Sequence, residues 1–245
     1  MNETTLAFFF MPFDIFILPG LILGIYAQMK LMNVYRRYIR EPASRGLSGA
    51  EAARSILDAA GLADVSVRPI PGALTDHYDP TRRTLFLSQD NFYGRSLAAL
   101  GVAAHEAGHA LQHQAAYAPL QLRMALVPAT ALATKAAFLI LFGGMALMMI
   151  GFLHPVVFAK LLPWAIGAYG VVTLFQLITL PVEYDASRRA KRRLLALGLI
   201  DPAEAGAVSR VLNAAALTYV AALVTAVLEL LRLVMLAQFL GGDDA

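Results

Sequence analysis

Long apolar runs alternate along this chain with punctuated polar stretches, and the runs fall at 6–29, 127–152, 156–180 and 217–240. A hydrocarbon core of about 30 Å takes about 20 helical residues, so each run is long enough to cross a bilayer as a helix. The first, Leu6 to Met29, has no basic residue before it and is followed at once by Lys30, Arg36, Arg37 and Arg40, which reads as a retained anchor and not as a cleaved leader. A soluble helical bundle would not carry stretches as continuous as those around Leu139–Met149 and Val171–Ile178.

The stretch 30–126 changes period and reads as a small α+β domain. Ser48 with Glu51 three residues on makes a capping box, and Ala52, Ala53, Ile56, Leu57 and Ala60 continue at helical spacing until Gly61, a C-terminal cap. Val65–Arg68 alternates like a strand before Pro69 and Pro71. Leu74–Tyr78, the turn residues Asp79-Pro80 and then Thr84–Leu87 predict a hairpin, which ends at Ser88-Gln89-Asp90. A second helix is predicted from about Ser96 to Gln114, closed by Ala118-Pro119.

Composition narrows the classes. Of 245 residues 58% are hydrophobic and 15% charged, which excludes an intrinsically disordered chain, and the absence of cysteine excludes disulfides and any thiolate site. Any metal must therefore sit on histidines and carboxylates. The net charge of +3 is less informative than its distribution. Stretches 30–126 and 182–210 hold all the Lys and Arg except Lys135, Lys160 and Arg232. Four spans put both stretches on one side of the membrane, and the positive-inside bias makes that side cytoplasmic, with Asn2-Glu3 and Asp243-Asp244 on the other. A lipid bilayer is then one partner, and nothing suggests a nucleic acid.

Within the second helix stands His105-Glu106-Ala107-Gly108-His109, the HExxH pattern. Two histidines one helical turn apart project from one face and can grip one Zn²⁺, while Glu106, about 100° around the axis, reaches a water at the metal and serves as its general base. A catalytic zinc needs a third protein ligand and an open position. His113 lies a further turn along, too far to share the ion that His105 and His109 straddle. The metzincin continuation is missing, since Gln112 and Ala115 stand where Gly and His would be required. A distant carboxylate is left. Two spans separate Glu183 and Asp185 from His109, an even number that returns the chain to the same membrane face, and Glu183 is the favoured ligand. If that segment continues as a helix, Asp185 points about 200° away from Glu183, whereas Ser187 returns to its face and supports the ligands from behind. A basic juxtamembrane helix whose acids balance Arg188, Arg189, Lys191, Arg192 and Arg193 is the other reading of this stretch.

HEAGHALQ, LTDHYDP with YGRS, PVEYDASRRA and LNAAALTYVAA together resemble the YugP-type family of neutral zinc metallopeptidases of bacterial membranes, over nearly the whole chain. More distantly, HExxH followed two spans later by Glu is similar to HtpX-type membrane proteases, whose late motif has Asp four residues after the Glu. Glu183 matches that ligand, and the later position is Ser187 and not Asp, so the carboxylate support of that motif falls to Ser187 or Asp185. What the resemblance implies is a mostly α, polytopic membrane protein with about four transmembrane helices and a small α+β zincin-like catalytic domain. Its parts would be an anchor at 1–29, a cytoplasmic catalytic domain at 30–126, a transmembrane hairpin at 127–181, a cytoplasmic segment with the third zinc ligand at 182–210 and a last transmembrane helix at 211–245. The activity implied is zinc-dependent hydrolysis of peptide bonds in membrane or membrane-proximal polypeptides at the cytoplasmic face of the inner membrane. A non-cleaving zinc-binding sensor is the alternative, against which the intact Glu106 argues. Leu85–Ser88 is the expected sheet edge for an extended peptide. His77 reads either as an oxyanion donor or as a loop histidine bonded to Asp76 or Asp79. Tyr219 and Asn213, near the cytoplasmic start of the last span, read either as groups that help polarise a scissile carbonyl or, the commoner meaning, as interfacial residues, and Glu229 pairs with Arg232 within that span.

Overall fold

Four long helices carry the chain through the computed structural model, which describes residues 12–241. Asn2, Glu3, Asp243 and Asp244, with the first residues of the run that begins at Leu6, lie outside the described residues. The elements are α1 (Leu18–Tyr38), α2 (Gly49–Asp58), β1 (Ser66–Ile70), β2 (His77–Asp79), β3 (Thr84–Ser88), α3 (Gln89–Phe92), α4 (Leu97–Gln114), α5 (Ala118–Phe138), α6 (Gly144–Met149), α7 (Pro155–Ala196) and α8 (Ala205–Gly241). Four stretches, Ile15–Tyr38, Ala118–Met149, Pro155–Ala196 and Ala205–Phe239, are helices long and apolar enough to cross a membrane. Among the described residues the expected runs are helical except for residues 150–152, and two of the helices outrun them: α7 continues 16 residues past Leu180 with Pro181 inside it, and α8 begins 12 residues before Leu217.

The chain divides into two compact units, one formed by Tyr26–Gln121 with Thr179–Tyr219 and the other by the remaining described residues. In the first, α2 begins where the sequence says it should. The Ser48 hydroxyl accepts from the Glu51 amide and the Glu51 carboxylate accepts from the Ser48 amide at 2.7 Å, so two otherwise orphaned donors are satisfied. Gly61 lies at φ +72°, where a β-carbon would be strained. α4 is capped by the Ser96 hydroxyl, which accepts from the Ala99 amide. It ends at Gln114, with Ala116 at φ +48° reversing the chain. Ala118-Pro119 therefore opens α5 instead of closing α4, because proline in a first turn gives up an amide that has no helical partner.

The three strands lie in the order β1-β3-β2, with β1 parallel and β2 antiparallel to β3. The predicted hairpin is present, but its first strand is only His77–Asp79: Leu74 sits at φ +55°, which turns the chain where alternation alone suggested extension. Because β3 is the central strand, Thr84, Leu85 and Phe86 have a strand neighbour on both sides, so Leu85 and Phe86 are not the free edge expected for a peptide, whereas Leu87 and Ser88 pair with β1 alone and the Ser88 amide donates to Asp76 Oδ1.

Buried Ile56 and Leu57 of α2, Leu85 and Leu87 of β3, Leu97 and Leu100 of α4, Leu194 of α7 and Val208 of α8 form one core. Each buried aliphatic side chain of this size stabilises by about 1.5–3 kcal/mol, and together they fix α7 against α4. The other unit packs Leu141, Phe158, Leu162, Leu233 and Leu236 around a smaller core. There Arg232 meets both Glu229 carboxylate oxygens at 2.6 and 2.9 Å, the pairing that their three-residue spacing predicts.

Candidate metal centre

Helix α4 presents His105 and His109 from one face, and α7 brings Glu183 to them. The ring of His105 meets Glu183 Oε2 through Nε2 at 3.2 Å, and that of His109 does so at 3.7 Å. One ligand atom from each of the three residues lies within 4.8 Å of the others. Donors bound tetrahedrally at about 2.0–2.2 Å stand about 3.3–3.5 Å apart, so the spacing around Glu183 Oε2 matches what one zinc requires. The donor set, two imidazoles and a carboxylate, is also that of a catalytic zinc site.

Close approach of the two helices makes this possible. A β-carbon built on Gly108 would stand 2.6 Å from the Ala186 carbonyl oxygen, inside van der Waals contact. Gly108 within the motif thus lets the α7 backbone come near enough for Glu183 to reach both histidines. Glu183 is 2% exposed, so this carboxylate has left water for the company of the two rings.

The far side of each ring is held as well. His105 Nδ1 is 3.1 Å from the Ser187 hydroxyl, as the return of position 187 to the Glu183 face predicts. His109 Nδ1 is 2.9 Å from Gln112 Oε1. The Gln112 amide nitrogen in turn donates to the Val182 carbonyl at 2.8 Å and to Asp185 Oδ2 at 3.0 Å. Asp185 also receives Arg189 Nε at 2.6 Å, and the Arg189 guanidinium lies over the Tyr117 ring. Gln112, and the route from Asp185 through it, escape sequence reasoning, which offers Asp185 only as an alternative to Ser187 for carboxylate support. In sequence Gln112 registers only as a failure to be glycine, and only packing of α7 on α4 shows what it bonds. The one available signal was a glutamine three residues after His109 in a helix otherwise filled with Ala and Leu, and the structure shows it fully buried.

Glu106 is buried beside the histidines. Burial pushes its carboxyl above the usual range, against the opposing pull of His105 and His109 and with help from Glu183 and Asp76. Burial disfavours a charged His109, yet the bond to the Glu183 carboxylate outweighs it and raises the ring above its ordinary value.

The remaining candidates stand apart from the three-residue group. His113 Nδ1 is 2.9 Å from the Tyr78 hydroxyl, one turn beyond His109. His77 is exposed, with Nδ1 2.9 Å from the Thr75 carbonyl and its ring stacked on Phe86, so neither Asp76 nor Asp79 holds it. Asp76 instead accepts from Ser88 and Asn91. Asn213 is exposed on α8, and Tyr219 lies on the same helix, partly buried.

A chain with four long apolar helices and a cluster of two histidines and a glutamate on facing helices has the make-up of a membrane-associated zinc hydrolase. Residues 13–238 match the family described as "putative neutral zinc metallopeptidase", and the chain belongs to that family. It is 47% identical over 227 residues to the "Putative membrane protease YugP" of Bacillus subtilis (strain 168), covering 93% of this chain and 96% of that protein. No solved structure matches the chain.

Proposed function

We propose that this chain is a multi-pass zinc endopeptidase of the bacterial inner membrane that cleaves membrane or membrane-proximal polypeptides at its cytoplasmic face. The observation that carries this reading is the convergence of His105, His109 and Glu183, with Glu106 on the adjoining face of α4. His105, His109 and Glu183 would hold the zinc, with α4 beside the sheet as the zincin-like core. When bound, zinc supplies Lewis-acid polarisation of the scissile carbonyl and lowers the pKa of a bound water toward about 7. Glu106 takes the proton from the attacking water and passes it to the leaving nitrogen, a task suited to a carboxyl raised by burial. Ser187 and Gln112 hold the two rings so that Nε2 of each faces Glu183.

An extended peptide would pair with the outer edge of β2. That strand is bonded to β3 on one side only, and Tyr78 reaches from it to His113 on the motif helix. At the opposite edge of the sheet, β1 contains Pro69, which has no amide to donate.

The purified full-length chain in detergent is expected to hydrolyse an unstructured substrate such as casein, to stop when a chelator strips its metal, and to resume when Zn²⁺ is returned. Turnover that ignores the chelator, or none after zinc is restored, would remove this reading.

One feature supports insertion in the membrane and a second its orientation. Large apolar side chains face outward on the long helices, with Leu132 71%, Trp164 74% and Leu177 56% exposed, a surface that water does not tolerate over whole helices. The basic residues gather at 30–126 and 182–210. Single cysteines placed at Arg54 and Arg192 are expected to resist an impermeant maleimide in intact cells and to react after permeabilisation. Native cysteine does not interfere, since there is none. Labelling from outside would reverse the orientation.

A further inference from the structure

Each ring has a partner of different character on its far side. His105 meets a neutral hydroxyl, Ser187, whereas His109 meets an amide that is itself bonded to a carboxylate. The orientation of that amide follows from its surroundings. Gln112 Nε2 lies within 3.0 Å of two acceptors, the Val182 carbonyl and Asp185 Oδ2, so the nitrogen belongs on that side and Oε1 belongs toward His109. Oε1 only accepts, so His109 Nδ1 must carry the hydrogen. Nε2, the atom that faces Glu183, is then the one that can give a lone pair to a metal in place of the proton it shares with the carboxylate.

We infer that Asp185 and Gln112 form a two-step relay that positions His109 and strengthens it as a metal ligand, with the carboxylate of α7 acting on the imidazole of α4 through the Gln112 amide. Asp185 polarises the amide, which makes Oε1 a stronger acceptor for Nδ1–H and the far nitrogen a better donor to a metal. Gln112 is fully buried and Asp185 is 7% exposed, so neither bond competes with bulk water. Arg189, which donates to Asp185 at 2.6 Å, holds the carboxylate in place. The relay also ties the two ligand-bearing helices together, because Gln112 on α4 bonds the segment of α7 that carries Glu183. Asp185 and Gln112 are thus positioning residues, which touch neither substrate nor metal. This inference rests on the zinc reading above.

The test uses full-length protein, stripped of metal and titrated with Zn²⁺ against a competing chelator, and then loaded with Co²⁺ for its visible spectrum. Gln112→Leu is expected to weaken zinc binding by about 10- to 100-fold, as loss of a ligand's orienting partner does, and to shift the cobalt bands. Asp185→Asn, which keeps the size of the side chain, is expected to give a smaller loss with a shift in the same direction. Because Asp185 acts through Gln112, the double variant should bind no more weakly than Gln112→Leu alone. Two independent structural effects would instead multiply, and that result overturns the relay. So does zinc affinity within about twofold of the parent in Gln112→Leu. If Gln112→Leu fails to fold, judged by melting of the metal-free protein, Asp185→Asn decides alone: parent-like affinity and spectrum there overturn the proposal. A parent that binds zinc and cleaves peptide while both variants match it removes the relay and leaves the peptidase standing. A parent that binds no zinc removes both.

Discussion

Glu106→Gln is expected to keep its zinc while peptide hydrolysis falls by about 10²- to 10⁴-fold, the contribution typical of a positioned general base. The substitution preserves the outline of the side chain and removes only its capacity to take a proton. Burial, which raises the Glu106 carboxyl, penalises the charged form and not the amide, so the fold should tolerate the change. His105, His109 and Glu183 are untouched, and metal content should match the parent. The measurement is kcat/KM beside metal analysis on the same preparation. Parent-like turnover would show that another group activates the water.

Glu183→Ala is expected to do the opposite and empty the site. It removes the carboxylate whose Oε2 stands 3.2 and 3.7 Å from the two imidazole nitrogens, and with it the sole anion of the three-residue group. Zinc affinity should fall by more than about 100-fold, beyond the roughly 10- to 100-fold loss of a residue that only orients a ligand. Activity should vanish with the metal. Ser187→Ala, which takes only the hydroxyl from His105 Nδ1, should cost about 10-fold in affinity. Normal zinc stoichiometry in Glu183→Ala would mean that a different group completes the site, and would leave the roles of His105 and His109 open to separate test.

Much of this was legible in the residues. The His105/His109 spacing says that the two rings share a face, because a helical period of 3.6 leaves no other choice for positions four apart. The capping box at Ser48–Glu51, the cap at Ser96 and the pairing of Glu229 with Arg232 are local too, and each depends on residues within one turn. Length and apolar continuity mark the long helices for the same reason, since a helix satisfies its own backbone. Glu183 was accessible by a different route, counting the apolar runs between it and His109, which gives the side expected of a residue if each run crosses a bilayer but not what it touches.

What the chain by itself determined is therefore what lies within a turn of helix or a single run: the caps, the apolar spans, the two histidines with their glutamate. Tertiary structure decided the rest. That β3 is central, so that Leu85 and Phe86 offer no free edge, depends on β1 and β2 pairing with it from either side, and alternation within a strand carries no information about its neighbours. The contact of Gly108 with Ala186, the arrival of Glu183 at two rings 74 and 78 residues earlier, and the bond from Asp185 through Gln112 to His109 all arise where α7 packs on α4. Such contacts come from the summed burial of side chains such as Leu97, Leu100 and Leu194, a non-directional force that acts between segments far apart in the chain and leaves no spacing in the sequence to read.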